Sequence, residues 1–139
     1  MDKENLIKIF NSNSNTLMET LDIQFVDFGD DFVTAKMPVT PKVFQPDGIL
    51  HGGATVALAE TVGSSAAFIL NKDSKQTVRG IEISANHLKS ISSGYVYATA
   101  KPLNKGKTIQ LWEIRVTNEE NELISICKLT TYSRKINYT

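Results

Sequence analysis

A single carboxylate stands in the most apolar stretch of this chain. Glu60 lies within residues 54–70, ATVALAETVGSSAAFIL, where every other residue is apolar or small and uncharged. His51-Gly52-Gly53 precedes the stretch, and Gln45 opens the approach to it in QPDGIL. If 54–70 is helical, Glu60 lies seven residues past Gly53, about 10 Å along the axis and on nearly the same face. Ser64 follows one turn further on. The first amides of a helix have no internal acceptor, and Ser, Thr, Asp or Asn usually caps them. Here the cap position falls on glycine, so no side chain need fill the helix mouth, and two glycines let another molecule approach the backbone. Amides, Glu60 and Ser64 thus form one polar stripe.

Two readings of the stripe are open from the residues alone. In one, the amides receive an anion or a developing oxyanion. Glu60 is then a general base for water, or the nucleophile itself, in attack on an acyl carbonyl. In the other, Gly-Gly is a tight turn, Glu60 pairs with a core Lys or Arg, and Ser64 merely packs. Other chemistries have less behind them. His51 and His87 are the only histidines and, with Cys127, show no metal-ligand spacing. There is no GxSxG elbow, no GxxxxGK[ST] and no GxGxxG. Cys127 falls in an apolar strand pattern and reads as core.

The elements that must hold the stripe follow from periodicity. Residues 3–11 form a short amphipathic helix, and 16–21 a further helical turn. Strands are expected over 23–28 and 32–39, joined by Gly29-Asp30-Asp31, with a loop from Thr40 to Gly48 where Pro41, Pro46 and Gly48 interrupt regular structure. The stretch 54–70 is apolar on nearly every face, which predicts a helix buried on all sides, ended by turn chemistry at 71–74. Four strands follow, over 77–88, 94–103, 108–117 and 123–133. In the second, Tyr95, Tyr97 and Thr99 alternate with Val96, Ala98 and Ala100. In the third, Ile109, Leu111, Glu113 and Arg115 alternate with Gln110, Trp112, Ile114 and Val116. Turns at Ser92-Ser93-Gly94, Asn104-Lys105-Gly106 and Asn118 to Asn121 favour antiparallel pairing. The expected class is α+β, a curved antiparallel sheet of about six strands around one helix. Its open edges predict pairing of two copies.

The 139 residues suit one domain, 1–139, with no internal repeat or linker. Fifteen basic residues balance fifteen acidic ones, so nothing electrostatic points to nucleic acid or an anionic membrane as partner. One cysteine and a polar N-terminus fit a reducing, cytoplasmic setting.

From Leu17 to Tyr132, the segments FQPDGILHGGATVALAETVGSSAAF and GIEISANHLKSISSGYVYATAKPLNKGKTIQLWEIRV resemble the hotdog-fold acyl-CoA thioesterases. The similar branch is typified by phenylacetate-degradation thioesterases, the enterobactin-pathway proofreading thioesterase and 1,4-dihydroxy-2-naphthoyl-CoA hydrolase. The resemblance implies hydrolysis of small aromatic or medium-chain acyl-CoA to the free acid and coenzyme A. It implies Glu60 as the catalytic carboxylate and Gly52 and Gly53 as the helix-start glycines, one of whose amides polarises the thioester carbonyl. Gln45 and His51 match loop residues that orient the thioester, and Ser64 the residue that positions water. The site would form at a homodimer interface, Glu60 facing the partner's His51 loop, with dimers pairing into tetramers. No metal or cofactor is implied, since coenzyme A is part of the substrate. His87, Lys89 and Ser90 match a segment where relatives place a basic residue for coenzyme A, and Lys105 and Lys107 are further candidates for its phosphates. Lysine here replaces the frequent arginine and meets phosphate as a point charge.

Two alternatives have distinct marks. A hotdog dehydratase acting on 3-hydroxyacyl thioesters also uses a His and a carboxylate, but its His normally sits in a GHFP-like context, whereas His51 precedes Gly-Gly. A non-catalytic acyl-CoA-binding module has no need of the carboxylate.

Overall fold

Alternation of apolar and polar residues builds one continuous sheet. In the computed structural model, residues 2–12, 14–71 and 76–136 are described. The helices are α1 (Lys3–Asn11), α2 (Leu17–Thr20) and α3 (Gly52–Ile69). The strands are β1 (Gln24–Phe28), β2 (Val33–Pro38), β3 (Gln76–His87), β4 (Tyr95–Lys105), β5 (Ile109–Thr117) and β6 (Leu123–Lys135). All pair antiparallel in the order β1-β2-β4-β5-β6-β3. The expected class and strand count hold. Of the turn expected at 71–74, only Asn71 lies within the described residues.

The inward residues of β2, β4, β5 and most of β6 recur every second position, as a half-buried sheet requires. Val33, Ala35 and Met37 of β2 are buried, with Val96, Ala98 and Ala100 of β4, Trp112, Ile114 and Val116 of β5, and Cys127 and Leu129 of β6. The core face of α3 meets them with Leu58, Ala59, Val62 and Ala66, each fully buried. Burial of a Leu- or Val-sized side chain contributes about 1.5–3 kcal/mol, so this face fixes the helix to the sheet. Gly63 permits close approach. A Cβ there would lie 2.6 Å from Leu129 Cδ2 and 3.3 Å from Ile114 Cδ1.

The structure corrects three expectations. First, α3 begins at Gly52, so both glycines lie in its first turn. Second, α3 is not buried on all sides: Gly53, Glu60 and Phe68 are exposed on the face away from the sheet. Third, β4 runs on to Lys105 across a bulge between Pro102 and Asn104. The reversal is therefore confined to 106–108, where a Cβ on Gly106 would lie 2.3 Å from the Ile109 carbonyl oxygen. The predicted loop after β2 also contains a 3-10 turn, Pro41–Val43.

The two sheet edges differ. The β1 edge is covered by α1: Asn11 Nδ2 donates to the Phe25 carbonyl (3.1 Å), and the Phe25 N–H donates to Asn11 Oδ1 (2.7 Å). The side-chain amide thus stands in for a neighbouring strand. The Lys3–Asp27 ion pair (2.7 Å) holds the other end of α1 and keeps the Asp27 carboxyl below its usual range. The twelve-residue β3 has no strand on its outer side. Among the described residues no helix is long and apolar enough to cross a membrane.

Candidate active site

The approach to α3 is a closed loop. Phe44 bridges Leu50, the Gln45 N–H donates to the Ile49 carbonyl (2.8 Å), and the His51 N–H donates to Val43 (2.9 Å). The Gln45 side-chain oxygen accepts from the Asp47 N–H, which leaves its NH2 group as the end able to meet a ligand. His51 has extended backbone (φ −67°, ψ 130°), and its Nδ1 accepts the Gly53 N–H at 2.7 Å. Imidazole, not glycine, therefore caps the helix, which corrects the expectation of an open mouth. A neutral ring nitrogen reaches the same donor that an Asn or Asp oxygen would. The Gly53 amide is thereby engaged. The Gly52 amide, the first of the helix, meets no acceptor among the described residues.

His87 faces this mouth from the end of β3. A Cβ on Gly52 would lie 2.8 Å from His87 Nε2, so the ring occupies the space a larger residue would fill. His87 Nδ1 is 2.9 Å from Ser125 Oγ, and Ser125 donates to the Asn86 carbonyl at 3.0 Å. With the single hydroxyl proton spent on Asn86, Ser125 accepts from Nδ1–H. That leaves Nε2 as the ring nitrogen that faces Gly52. Gln45, Gly52, His87, Lys89 and Ser90 line one cavity of about 280 Å³. Lys89 pairs with Glu122, and its hydrogen bond, with a second from Asn118, holds the Glu122 carboxyl below its usual range. Lys105 and Lys107 lie elsewhere. They line a cavity of about 790 Å³ at the other end of α3, with Leu70, Gln110 and Trp112. The expected coenzyme A set is thus divided between two ends of the molecule.

Glu60 is exposed, and among the described residues no Lys or Arg pairs with it. The salt-bridge reading fails within the described chain. Its side chain rests on β3, where a Cβ on Gly80 would come 3.5 Å from Glu60 Cδ. A bulge between Gly80 and Glu82 re-aims the strand there and leaves Ile81 58% exposed. Ser64, one turn beyond, is half-buried on the same face. Buried Cys127 takes no part, and burial pushes its thiol pKa up.

The sequence model of the Thioesterase superfamily matches residues 47–125, the span that holds the helix mouth, Glu60 and the His87 segment.

The chain belongs to this superfamily.

The proofreading thioesterase EntH of Cronobacter turicensis is 43% identical to this thioesterase over 116 residues, 84% of each chain. The crystal structure of a thioesterase from Haemophilus influenzae superposes with a TM-score of 0.89 at 40% identity, covering 99% of this chain and 94% of that one. A thioesterase from Pseudomonas aeruginosa gives 0.89 at 36% identity, covering 94% of both. The fold is the hotdog, and this thioesterase is a thioester hydrolase.

Two residues of the site lay outside the sequence reading. Gly80 carried a signal, since a glycine inside a strand pattern marks a bulge or a close approach. Ser125 carried none, because its contact with His87 spans 38 residues.

Proposed function

We propose that this thioesterase hydrolyses small aromatic or medium-chain acyl-CoA to the free acid and coenzyme A, with Glu60 activating the attacking water. The observation that carries the reading is the Glu60 carboxylate on the open face of α3, with no ion-pair partner among the described residues. Glu60 takes a proton from water as its oxygen attacks the thioester carbon. The carbonyl oxygen becomes an oxyanion held by the Gly52 amide, and the thiolate of coenzyme A leaves as the carbonyl reforms. Direct attack by Glu60 through an acyl-enzyme uses the same groups. Gln45 and His51 orient the thioester, and Ser64 positions water. Lys89, once released from Glu122, meets a coenzyme A phosphate. The chemistry calls for side chains, amides and water only.

A homodimer completes the site in this reading. Glu60 stands about 10 Å along the axis from Gly53. A carbonyl under attack needs its oxyanion donor and its base each within about 3 Å. One chain's mouth and its own Glu60 are too far apart, so a second copy supplies the missing half. Supporting this, β3 is an uncovered edge next to Glu60, with Ile81 exposed along it and Leu88 just past its end. A dimer of dimers is the larger form of the same assembly.

Thiol release from benzoyl-, phenylacetyl- and hexanoyl-CoA tests the reading. Wild type should turn over at least one of them, and Glu60→Ala should fall to background. Equal background rates for both proteins would sink it.

A further inference from the structure

The open face of α3 does not end at Glu60. It carries Ala57, Glu60, Thr61, Ser64 and then Phe68, with the buried residues on the other side. Ala57, Thr61 and Ser64 are too small to fill the space beside the carboxylate. Phe68 is the large residue of this face, and it remains 50% exposed. It lies eight residues past Glu60, about 12 Å along the axis.

Phe68 is backed by the N-terminal helix. Phe10 of α1 meets it edge-on, with ring centroids 6.2 Å apart, and meets Phe25 of β1 at 5.5 Å. No residue of α1 is buried. It is a helix laid on the surface and pinned by Asn11 and Lys3, and its Phe10 ring meets Phe68 at the C-terminal end of this face. Toward the N-terminus, the face runs to the polar mouth of His51 and the helix amides. Toward the C-terminus, it runs past small side chains to two aromatic rings. Along this helix face, an acyl chain held at Glu60 finds large apolar side chains in the second direction.

We infer that Phe68, backed by Phe10, forms the far wall of the acyl site and sets the length of acyl group accepted. The inference rests on the reading of Glu60 as the hydrolytic carboxylate. The occupant is the hydrocarbon or aryl end of the acyl group, of a size that fits between the carboxylate and the rings. Aryl groups gain a ring-edge contact. Long straight chains meet the wall.

The test is the profile of kcat/KM against acyl length, from acetyl- to palmitoyl-CoA with benzoyl- and phenylacetyl-CoA added. It is measured for wild type, Phe68→Ala, Phe68→Trp and Phe10→Ala. Phe68→Ala and Phe10→Ala should move the optimum to longer chains, gaining about fourfold for each methylene newly buried. Phe68→Trp should move it to shorter chains. Circular dichroism checks that each variant is folded, and exposed Phe68 is the safer of the two positions. Identical profiles for all four proteins overturn the inference, as does a uniform loss across all lengths without a shift in optimum. If wild type hydrolyses none of the thioesters, it is the Glu60 reading that has failed.

Discussion

A mixture of two inactive variants should recover activity, by an amount that follows from the geometry. Glu60→Gln removes the carboxylate charge and leaves the helix intact. Since Glu60 is exposed and has no ion-pair partner among the described residues, stability should change by no more than about 0.5 kcal/mol. Loss of a general base should lower kcat by about 10²–10⁴. The second variant is Gly52→Pro. Gly52 is the first residue of α3, a position where proline is tolerated because its N–H has no helical acceptor. The residue before it, His51, already has the extended backbone that a following proline demands. The His87 ring, 2.8 Å from a Cβ at this position, must swing aside. The substitution deletes the one mouth amide without an acceptor, and loss of one oxyanion donor costs about 10²–10³ in kcat. Now let the two proteins exchange subunits. In a two-fold dimer, random pairing makes half the dimers mixed. Each mixed dimer holds one doubly damaged site and one with both Glu60 and Gly52 intact. The mixture should therefore recover about a quarter of the wild-type rate. Thiol release before and after exchange, with mixed dimers isolated on two different tags, reads this directly. If the groups act within one chain, no mixed dimer has an intact site. Activity would then stay at or below about 1% of wild type, and the shared-site argument would be refuted.

Two further outcomes follow from contacts already described. Glu122→Gln should release Lys89 and lower KM for acyl-CoA at low ionic strength, with the difference shrinking as salt screens the phosphate contact. Because Lys89 holds the Glu122 carboxyl below its ordinary value of 4.5, that pair persists above the ordinary value and is lost as pH falls through the lowered one. Wild-type KM should therefore approach the variant's only in acid below that value. Asn11→Ala should strip two hydrogen bonds from the β1 backbone and cost about 1–3 kcal/mol. Urea titration checks this, and an unchanged midpoint would mean that water replaces the amide without penalty.

The central strands were legible because their burial alternates with a period of two. Val96, Ala98 and Ala100, or Trp112, Ile114 and Val116, point inward in the structure as their spacing requires. Strand order was not legible, since alternation is blind to which neighbour a strand finds, and β3 crosses to the far edge. The misreading of α3 has a physical cause. Its sequence is apolar around most of its circumference, yet its own sheet covers only one side. The pattern thus carries more apolar surface than the chain's own sheet covers. Glu60, Gly52, Gly53 and His51 stood out by type and spacing. The capping role of His51 did not, because imidazole lies outside the usual set of cap residues, and only coordinates reveal that Nδ1 reaches the Gly53 amide.

The unequal sheet edges bear on how large an assembly can grow. A chain with two bare edges can add copies at both ends indefinitely, which is the geometry of a fibril. Here Asn11 occupies the hydrogen-bonding groups of Phe25 on β1, and only β3 remains available. If two β3 strands pair, as the proposed dimer would allow, both edges of the joined sheet are β1 edges, each carrying Asn11 on its Phe25 groups. In the proposed dimer, the nine residues of α1 would thus serve as a terminator: growth along the sheet would stop at two.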